Sequence, residues 1–297
     1  MSQQDASTLA CESCGTRFSE QDGVWNFLPE KLRKVDLFQP HPERLEGKEG
    51  QLVFFSQNTE DYDDRVANSP FWKAEDSLIW DKWYGNGKHL ENTWVLDIGA
   101  GTGRASEYLT RFAELVVVTD IAPGALRLAK RRLSRLGRTN FVLLACDAET
   151  IPFKKETFSF VSAYGVLHHV EIPAQAMSEI SRVLKPGGKA FTSENHKSAL
   201  RPIFDLLMKL SPAWTEHAGS NPLLDKNDIQ SWIKDVPLSF LIDYRAIVPP
   251  QLCNILGHGI SKPLLRSTNA LVNGIPLFHA LAGLIAIEFT KEPGSRK

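Results

Sequence analysis

Three glycines at alternate positions, Gly99, Gly101 and Gly103, follow the run Trp94-Val95-Leu96-Asp97-Ile98 and precede Arg104-Ala105-Ser106-Glu107-Tyr108-Leu109, whose composition is helical. The pattern is a strand, a tight glycine turn and a helix. Glycine is needed where the turn takes positive φ and where a ligand must reach the backbone with no Cβ in between.

The glycine spacing separates two ligand classes. A dinucleotide-binding turn reads G-x-G-x-x-G, yet the sixth position is Arg104 counted from Gly99 and Ser106 counted from Gly101. That fingerprint fails in both registers. What stands at 97–103 is D-x-G-x-G-x-G, which resembles the first motif of the class I S-adenosylmethionine (SAM) dependent methyltransferases. The resemblance implies that Asp97 and the loop residues Gly99, Ala100, Gly101 and Gly103 hold the methionine part of SAM.

Later segments stand in the same family's order. Leu115 to Asp120 is a β-branched run whose terminal acid lies 21 residues beyond Gly99, where a doubly wound sheet brings its second strand end beside the first. A carboxylate there can accept both ribose hydroxyls, with Ile121 pressing on the adenine. A helix N-cap ahead of Ala122-Pro123-Gly124 is the competing reading of Asp120. The strand Phe141 to Cys146 leads into Asp147-Ala148-Glu149 and Ile151-Pro152-Phe153, which resembles the adenine-reading segment. The resemblance implies that Asp147 accepts from the adenine amino group and the Ala148 amide donates to the ring. Thr157 to Ala163, then Tyr164-Gly165-Val166-Leu167-His168-His169, resemble the fourth strand and the loop lining the methyl-transfer site, which places Tyr164 on the cofactor. The stripe Ala176, Met177, Ile180, Val183 and Leu184 predicts a helix, stopped by Lys185-Pro186-Gly187-Gly188 before a fifth strand, Lys189 to Glu194.

The expected fold is therefore α/β: a Rossmann-like, doubly wound, seven-stranded sheet with an antiparallel last strand, plus an N-terminal extension and helical insertions. Residues 1–50 are expected to form the extension and 51–297 the methyltransferase domain, divided into a front aromatic segment 51–90, a core 91–196 and a substrate side 197–297. On that side Ser198 to Leu210 and Lys226 to Lys234 read as helices, and Pro237 to Val248 and Leu284 to Thr290 as strands. Pro249 to His279 is longer than a hairpin requires and reads as a lid, a greasy entrance or packing against the sheet.

Cys11-Glu12-Ser13-Cys14-Gly15 has the form of one zinc knuckle. It resembles the latter half of the zinc-ribbon segments that precede some bacterial methyltransferase domains. With no second C-x-x-C, a degenerate metal-free hairpin is preferred. Zinc held by Cys11 and Cys14 together with a second copy or with His41 is the alternative. Lys31 to Gly50 reads as a linker. From Leu52 to Tyr84 aromatics accumulate, and residues 70–84 suit a helix that packs on the sheet or folds over the pocket.

With 34 Lys+Arg against 35 Asp+Glu, no global field recruits nucleic acid. The basic run Lys130-Arg131-Arg132 reads as the solvated side of a helix. No charged-then-apolar leader opens the sequence, and the apolar run Ile275 to Ile287 is too short to span a bilayer. A cytoplasmic location is expected.

His168 and His169 are the candidate proton acceptors, with Tyr164, Glu194 and His196 behind them. The strand end reads Ala163-Tyr164-Gly165-Val166 rather than N/D-P-P-Y, and no carboxylate spacing suggests magnesium. The expected activity is transfer of a methyl group from SAM to a small, hydrophobic, lipid-like acceptor, since the histidine and K-P-G-G segments resemble the group that includes the ubiquinone and menaquinone ring methylases. A tRNA or rRNA methyltransferase and a non-catalytic SAM-binding module are the alternatives. The sequence names neither the acceptor atom nor the oligomeric state.

Overall fold

The computed structural model describes residues 8–293 apart from Ser13, 39–44, Asn86 and 213–221. His41, the possible third zinc ligand, lies outside the described residues. The described chain builds one ten-stranded sheet in the order β1-β2-β3-β6-β5-β4-β7-β8-β10-β9. The seven strands expected are β4 (Trp94–Ile98), β5 (Leu115–Asp120), β6 (Phe141–Ala145), β7 (Phe158–Ser162), β8 (Leu184–Asn195), β9 (Leu238–Arg245) and β10 (Leu284–Lys291). From β6 to β8 they run parallel, and β10 is antiparallel to both β8 and β9. The strand order reverses at β4, which has β5 on one side and β7 on the other. In an open α/β sheet that reversal leaves a crevice beyond the strand ends.

The other three strands come from the extension. β1 (Thr8–Ala10), β2 (Arg17–Gln21) and β3 (Val24–Asn26) form an antiparallel meander whose last strand pairs parallel to β6. The turn at Asp22-Gly23 takes φ of 57° and 83°, the left-handed pair that closes a two-residue hairpin without splaying its strands. Helix α5 (Pro123–Arg135) holds this hairpin: Arg127 Nε reaches Asp22 Oδ2 at 3.2 Å and Lys130 Nζ donates to the Asp22 carbonyl at 2.6 Å. Part of the basic run is thus a clamp rather than only a solvated face.

The helices cover the sheet because their apolar stripes match its faces. In α5, Ala125, Leu126, Ala129 and Leu133 are buried while the arginines face outward; in α6 (Pro173–Val183) Ala176, Met177, Ile180 and Val183 are buried. α8 (Lys226–Ile233) starts at a capping box in which Asp225 and Asp228 satisfy each other's backbone amides. The extended run of β8 begins at Leu184, so Lys185 to Gly188 is part of the strand, with a register shift opposite Phe158 and Phe160. The predicted stop before the fifth strand becomes an irregular strand entry.

Two stretches differ from their reading. Helix α2 (Gly47–Asn68) begins inside the supposed linker, after a short α1 (Glu30–Arg33). Residues 249–283 are helical rather than a loop: α9 (Pro250–Leu256), α10 (His258–Gly274) and a 3-10 turn, Pro276–Leu281. They pack behind α3 (Pro70–Ile79) and around Phe71, Leu78, Val248, Cys253 and Leu265. A buried ion cluster pins α3 to the sheet, with Arg245 bonded to Glu75 and to Asp243, the latter at 2.8 Å. α4 (Arg104–Leu109) and α7 (Arg201–Leu210) complete the α-helices of the described residues.

Candidate active site

A cavity opens beyond the ends of β4, β5 and β6, with about 1140 Å³ of empty space when its open mouth is included. Asp97, Gly99, Ala100, Gly101, Asp120, Ile121, Asp147, Ala148, Tyr164 and His169 line it, so nearly all the residues predicted for the cofactor converge. Gly101 stands at φ 53°, and a Cβ built there would meet no atom within 4 Å. That position is backbone offered to the cavity. Gly103 does not line it: its φ is 84°, it caps α4, and a Cβ would sit 3.1 Å from Ala129. Its glycine is required by the left-handed backbone at the start of α4, with the close approach to Ala129 beside it.

The two strand-end acids are held differently. Asp120 accepts from the Gly101 amide at 2.8 Å through Oδ2 and from the Ala122 amide at 2.8 Å through Oδ1. It lines the cavity and folds the turn ahead of α5 without capping it, since Ala122 is the N-cap residue and no side chain caps the first-turn amides; burial raises its pKa. Asp97 is fully buried, with Oδ2 accepting from Ser106 Oγ at 2.5 Å and Oδ1 without a hydrogen-bond partner among the described residues. Burial pushes its carboxyl up to about 6, against the pull of the Ser106 and Ser162 hydroxyls. An unsatisfied buried carboxylate oxygen beside an open glycine cradle suits a cationic ligand whose ammonium or sulfonium brings the missing charge. The residues present therefore fit SAM.

At the far end, Asp147 and Glu149 are almost wholly buried and share Lys48 of α2, whose Nζ lies 2.6 Å from Asp147 Oδ2 and 2.7 Å from Glu149 Oε2. Burial lowers the Lys48 ammonium's pKa, but the hydrogen bonds and charges of the two acids outweigh that and raise it. Gln51, Phe55 and Thr59 of the same helix roof the cavity. Lys48 falls in the stretch read as linker, whereas Phe55 belongs to the aromatic segment expected to pack on the sheet or fold over the pocket. The signal available was a lysine followed at helical spacing by Gln51 and Phe55.

A second, smaller cavity shares Arg104, Tyr164, Gly165 and His169 with the first and adds Trp72, His168, Ser193, Glu194, Asn195 and Leu284. Arg104 makes two bonds to Asp76, at 2.7 and 2.6 Å, and its guanidinium lies 5.5 Å from the Trp72 ring centroid and 5.6 Å from that of Tyr164. The Tyr164 hydroxyl donates to Asp76 Oδ1 at 2.8 Å. Tyr164 thus walls the junction of the two cavities instead of belonging to the cofactor side alone.

His168 is paired through Nδ1 with Glu194, which also accepts from Thr192 Oγ1 and from the Leu167 amide at 3.0 Å. A carboxylate at Nδ1 fixes the tautomer with its proton there and leaves Nε2 as the basic nitrogen. The adjoining ring of His169, 4.0 Å away by centroids, is kept neutral: burial and then His168 hold its pKa well below the usual imidazole value. The third candidate, His196, lines neither cavity; its Nδ1 bonds to the Ala282 carbonyl at 2.9 Å and its ring packs edge-on against Tyr244.

In the N-terminal knuckle, the Gly15 amide closes on the Cys11 carbonyl at 2.8 Å and Cys14 Sγ lies 3.1 Å from Thr16 Oγ1. Among the described residues no group of three or more His, Cys, Asp and Glu side chains could hold a metal. Among the described residues Cys11 and Cys14 have no third ligand.

Residues 96–192 match the family model described as a methyltransferase domain. The demethylmenaquinone methyltransferase of Renibacterium salmoninarum is 32% identical over 167 residues, which cover 51% of this chain and 68% of that protein. A ubiquinone/menaquinone biosynthesis C-methyltransferase of Blochmanniella pennsylvanica is 37% identical over 120 residues, covering 38% and 47%. The chain thus spans between about half and two thirds of the length of these relatives. Among solved structures, a putative sarcosine dimethylglycine methyltransferase from Galdieria sulphuraria superposes with a TM-score of 0.55 at 18% identity, over 80% of this chain and 99% of that one. That likeness is one of fold.

Proposed function

We propose that this chain, which belongs to the class I SAM-dependent methyltransferases, methylates a small acceptor with an apolar ring or body and one protic group. The observation that carries the proposal is the junction of the two cavities, where Tyr164, Gly165 and His169 separate a glycine-floored chamber from one containing the His168–Glu194 pair.

SAM, when bound, supplies an electrophilic methyl and a good thioether leaving group. The chain's own work is positioning and proton handling. Gly101 gives backbone access, Asp97 and Asp120 supply buried carboxylates, and Asp147 is an acceptor for an exocyclic amine. On the acceptor side Trp72 and Tyr164 give flat apolar walls, with the Arg104–Asp76 pair locking their orientation. His168 Nε2 is the atom suited to take the acceptor's proton, and Glu194 stabilises the imidazolium that results. His169, held neutral, crowds water out beside Phe55, whose ring lies 5.6 Å from its own. An apolar acceptor is supported by the quinone-directed names of the relatives and by these aromatic walls. Against nucleic acid as acceptor stands the use of Arg127 and Lys130 to hold the N-terminal hairpin.

The test is calorimetric titration with SAM, S-adenosylhomocysteine and NAD, followed by transfer of labelled methyl to hydroquinone-type, lipid and RNA acceptors. Binding of the adenosyl ligands alone, with label appearing on an apolar ring acceptor, is expected. Label on RNA only would overturn the acceptor class.

A further inference from the structure

We propose that the outer face made by α7, α9, α10 and the Pro276–Leu281 turn docks on an anionic lipid surface. Helix α7 is amphipathic yet buries none of its residues. Its Ile203, Leu206 and Leu210, with Ile255 of α9, Ile260 of α10 and Leu277 of the turn, are each between 54% and 82% exposed. These elements adjoin. Gln251 Nε2 of α9 donates to the Ser211 carbonyl at the end of α7 at 3.1 Å, the Ala199 amide meets the Ala280 carbonyl, and α10 packs on both α9 and the turn. A surface of clustered large apolar residues marks an interaction site rather than ordinary solvent exposure.

The charge pattern chooses the partner. Residues 249–283 contain no aspartate or glutamate, in a chain that carries 35 of them among 297 residues. Lys209 of α7 and Arg266 of α10 are exposed, while the acid of α7, Asp205, is paired with Arg201 at 2.6 Å. Apolar side chains on elements that carry lysine and arginine and no unpaired acid suit the headgroup region of an anionic membrane, where the apolar side chains sink and the cations meet lipid phosphates. No helix among the described residues is long and apolar enough to cross a membrane, so the mode is surface docking. The face also backs the acceptor cavity. Leu284 lines that cavity and belongs to the cluster packed beneath α9 and α10, and the ring of Phe204 in α7 lies against Gly283.

The test is co-sedimentation of the full chain with phosphatidylcholine vesicles and with vesicles enriched in phosphatidylglycerol, alongside light scattering for molecular mass. Sedimentation with the anionic vesicles only, weakened by salt, is expected. Leu206→Asp with Ile255→Asp should reduce it roughly tenfold or more, and Arg266→Glu with Lys209→Glu should abolish the preference for anionic lipid. SAM titration of each variant should stay unchanged, which separates loss of the face from loss of the fold. Because the readout needs no acceptor, it stands or falls apart from the proposed activity. Absence of sedimentation, sedimentation unaffected by the substitutions, or a dimer that these substitutions convert to monomer would overturn the proposal.

Discussion

The two chambers that meet at Tyr164 are built in opposite ways. The glycine-floored one is made of strand ends and turns close together along the chain: Asp97, Gly101, Asp120 and Asp147 each end or follow a parallel strand. The acceptor chamber is made of side chains brought from α3, α4, the loop after β7, and β8. Backbone geometry constrains the floor of the first, with distant side chains pairing only at its Lys48–Asp147–Glu149 end; such pairing constrains the second throughout, as in Arg104–Asp76–Tyr164 and His168–Glu194. A fold can therefore keep one chamber constant and rebuild the other.

The sharpest way to break this contrast is at the glycines. Gly101→Val should abolish SAM binding in calorimetry while the protein stays folded, whereas Gly103→Ala should lower the melting temperature and leave SAM affinity of the folded protein intact. Next in size, His168→Ala should lower kcat about a hundredfold or more with SAM affinity unchanged, and Glu194→Gln should do so less. Equal loss of SAM affinity in these variants would erase the distinction between chambers. Asp120→Ala should weaken SAM by roughly 1–3 kcal/mol and leave acceptor KM alone.

A smaller effect depends on pH. Burial holds the Asp97 carboxyl at about 6 in the fold, against an ordinary carboxylate value of 3.8. A raised carboxyl favours the protonated fold, so its contribution to stability declines as pH rises from the lower value to the higher. A cationic ligand favours the carboxylate, so SAM affinity should hold above pH 6 and fall by up to about tenfold per unit below it. Asp97→Asn should flatten that profile. Comparable to Asp120→Ala in size but read on stability instead of affinity is Lys48→Met, which leaves two buried carboxylates without their shared cation and should cost about 1–3 kcal/mol of thermal stability.

The same contrast explains what was legible in the sequence. Glycine turns and β-branched strand ends are local, so Leu115 to Asp120 is delimited correctly, and the residues that the family resemblance points to, Gly103 apart, line one cavity. The partnership of Asp76 with Arg104 and Tyr164 depends on tertiary packing and leaves no periodic trace. α10 stayed hidden for a different reason. Its buried face is Ser261, Leu265, Asn269 and Val272, and Pro263 lies within it. Two of those four are polar, so the apolar period fades. The compensation is tertiary, since Asn269 Oδ1 accepts from the Ala246 amide at 2.9 Å.

The N-terminal meander has a consequence for where this protein can be cut. Without β3, the outer edge of β6 would present an unpaired row of amides and carbonyls, a template for joining another chain. With it, the open edge is the three-residue β1, too short to recruit a stranger. The Phe27 amide also ties down the Ala145 carbonyl at 2.8 Å, two residues before Asp147. Trimming the chain back to Pro29 would therefore produce a sticky sheet and slacken the Asp147 end of the cavity together.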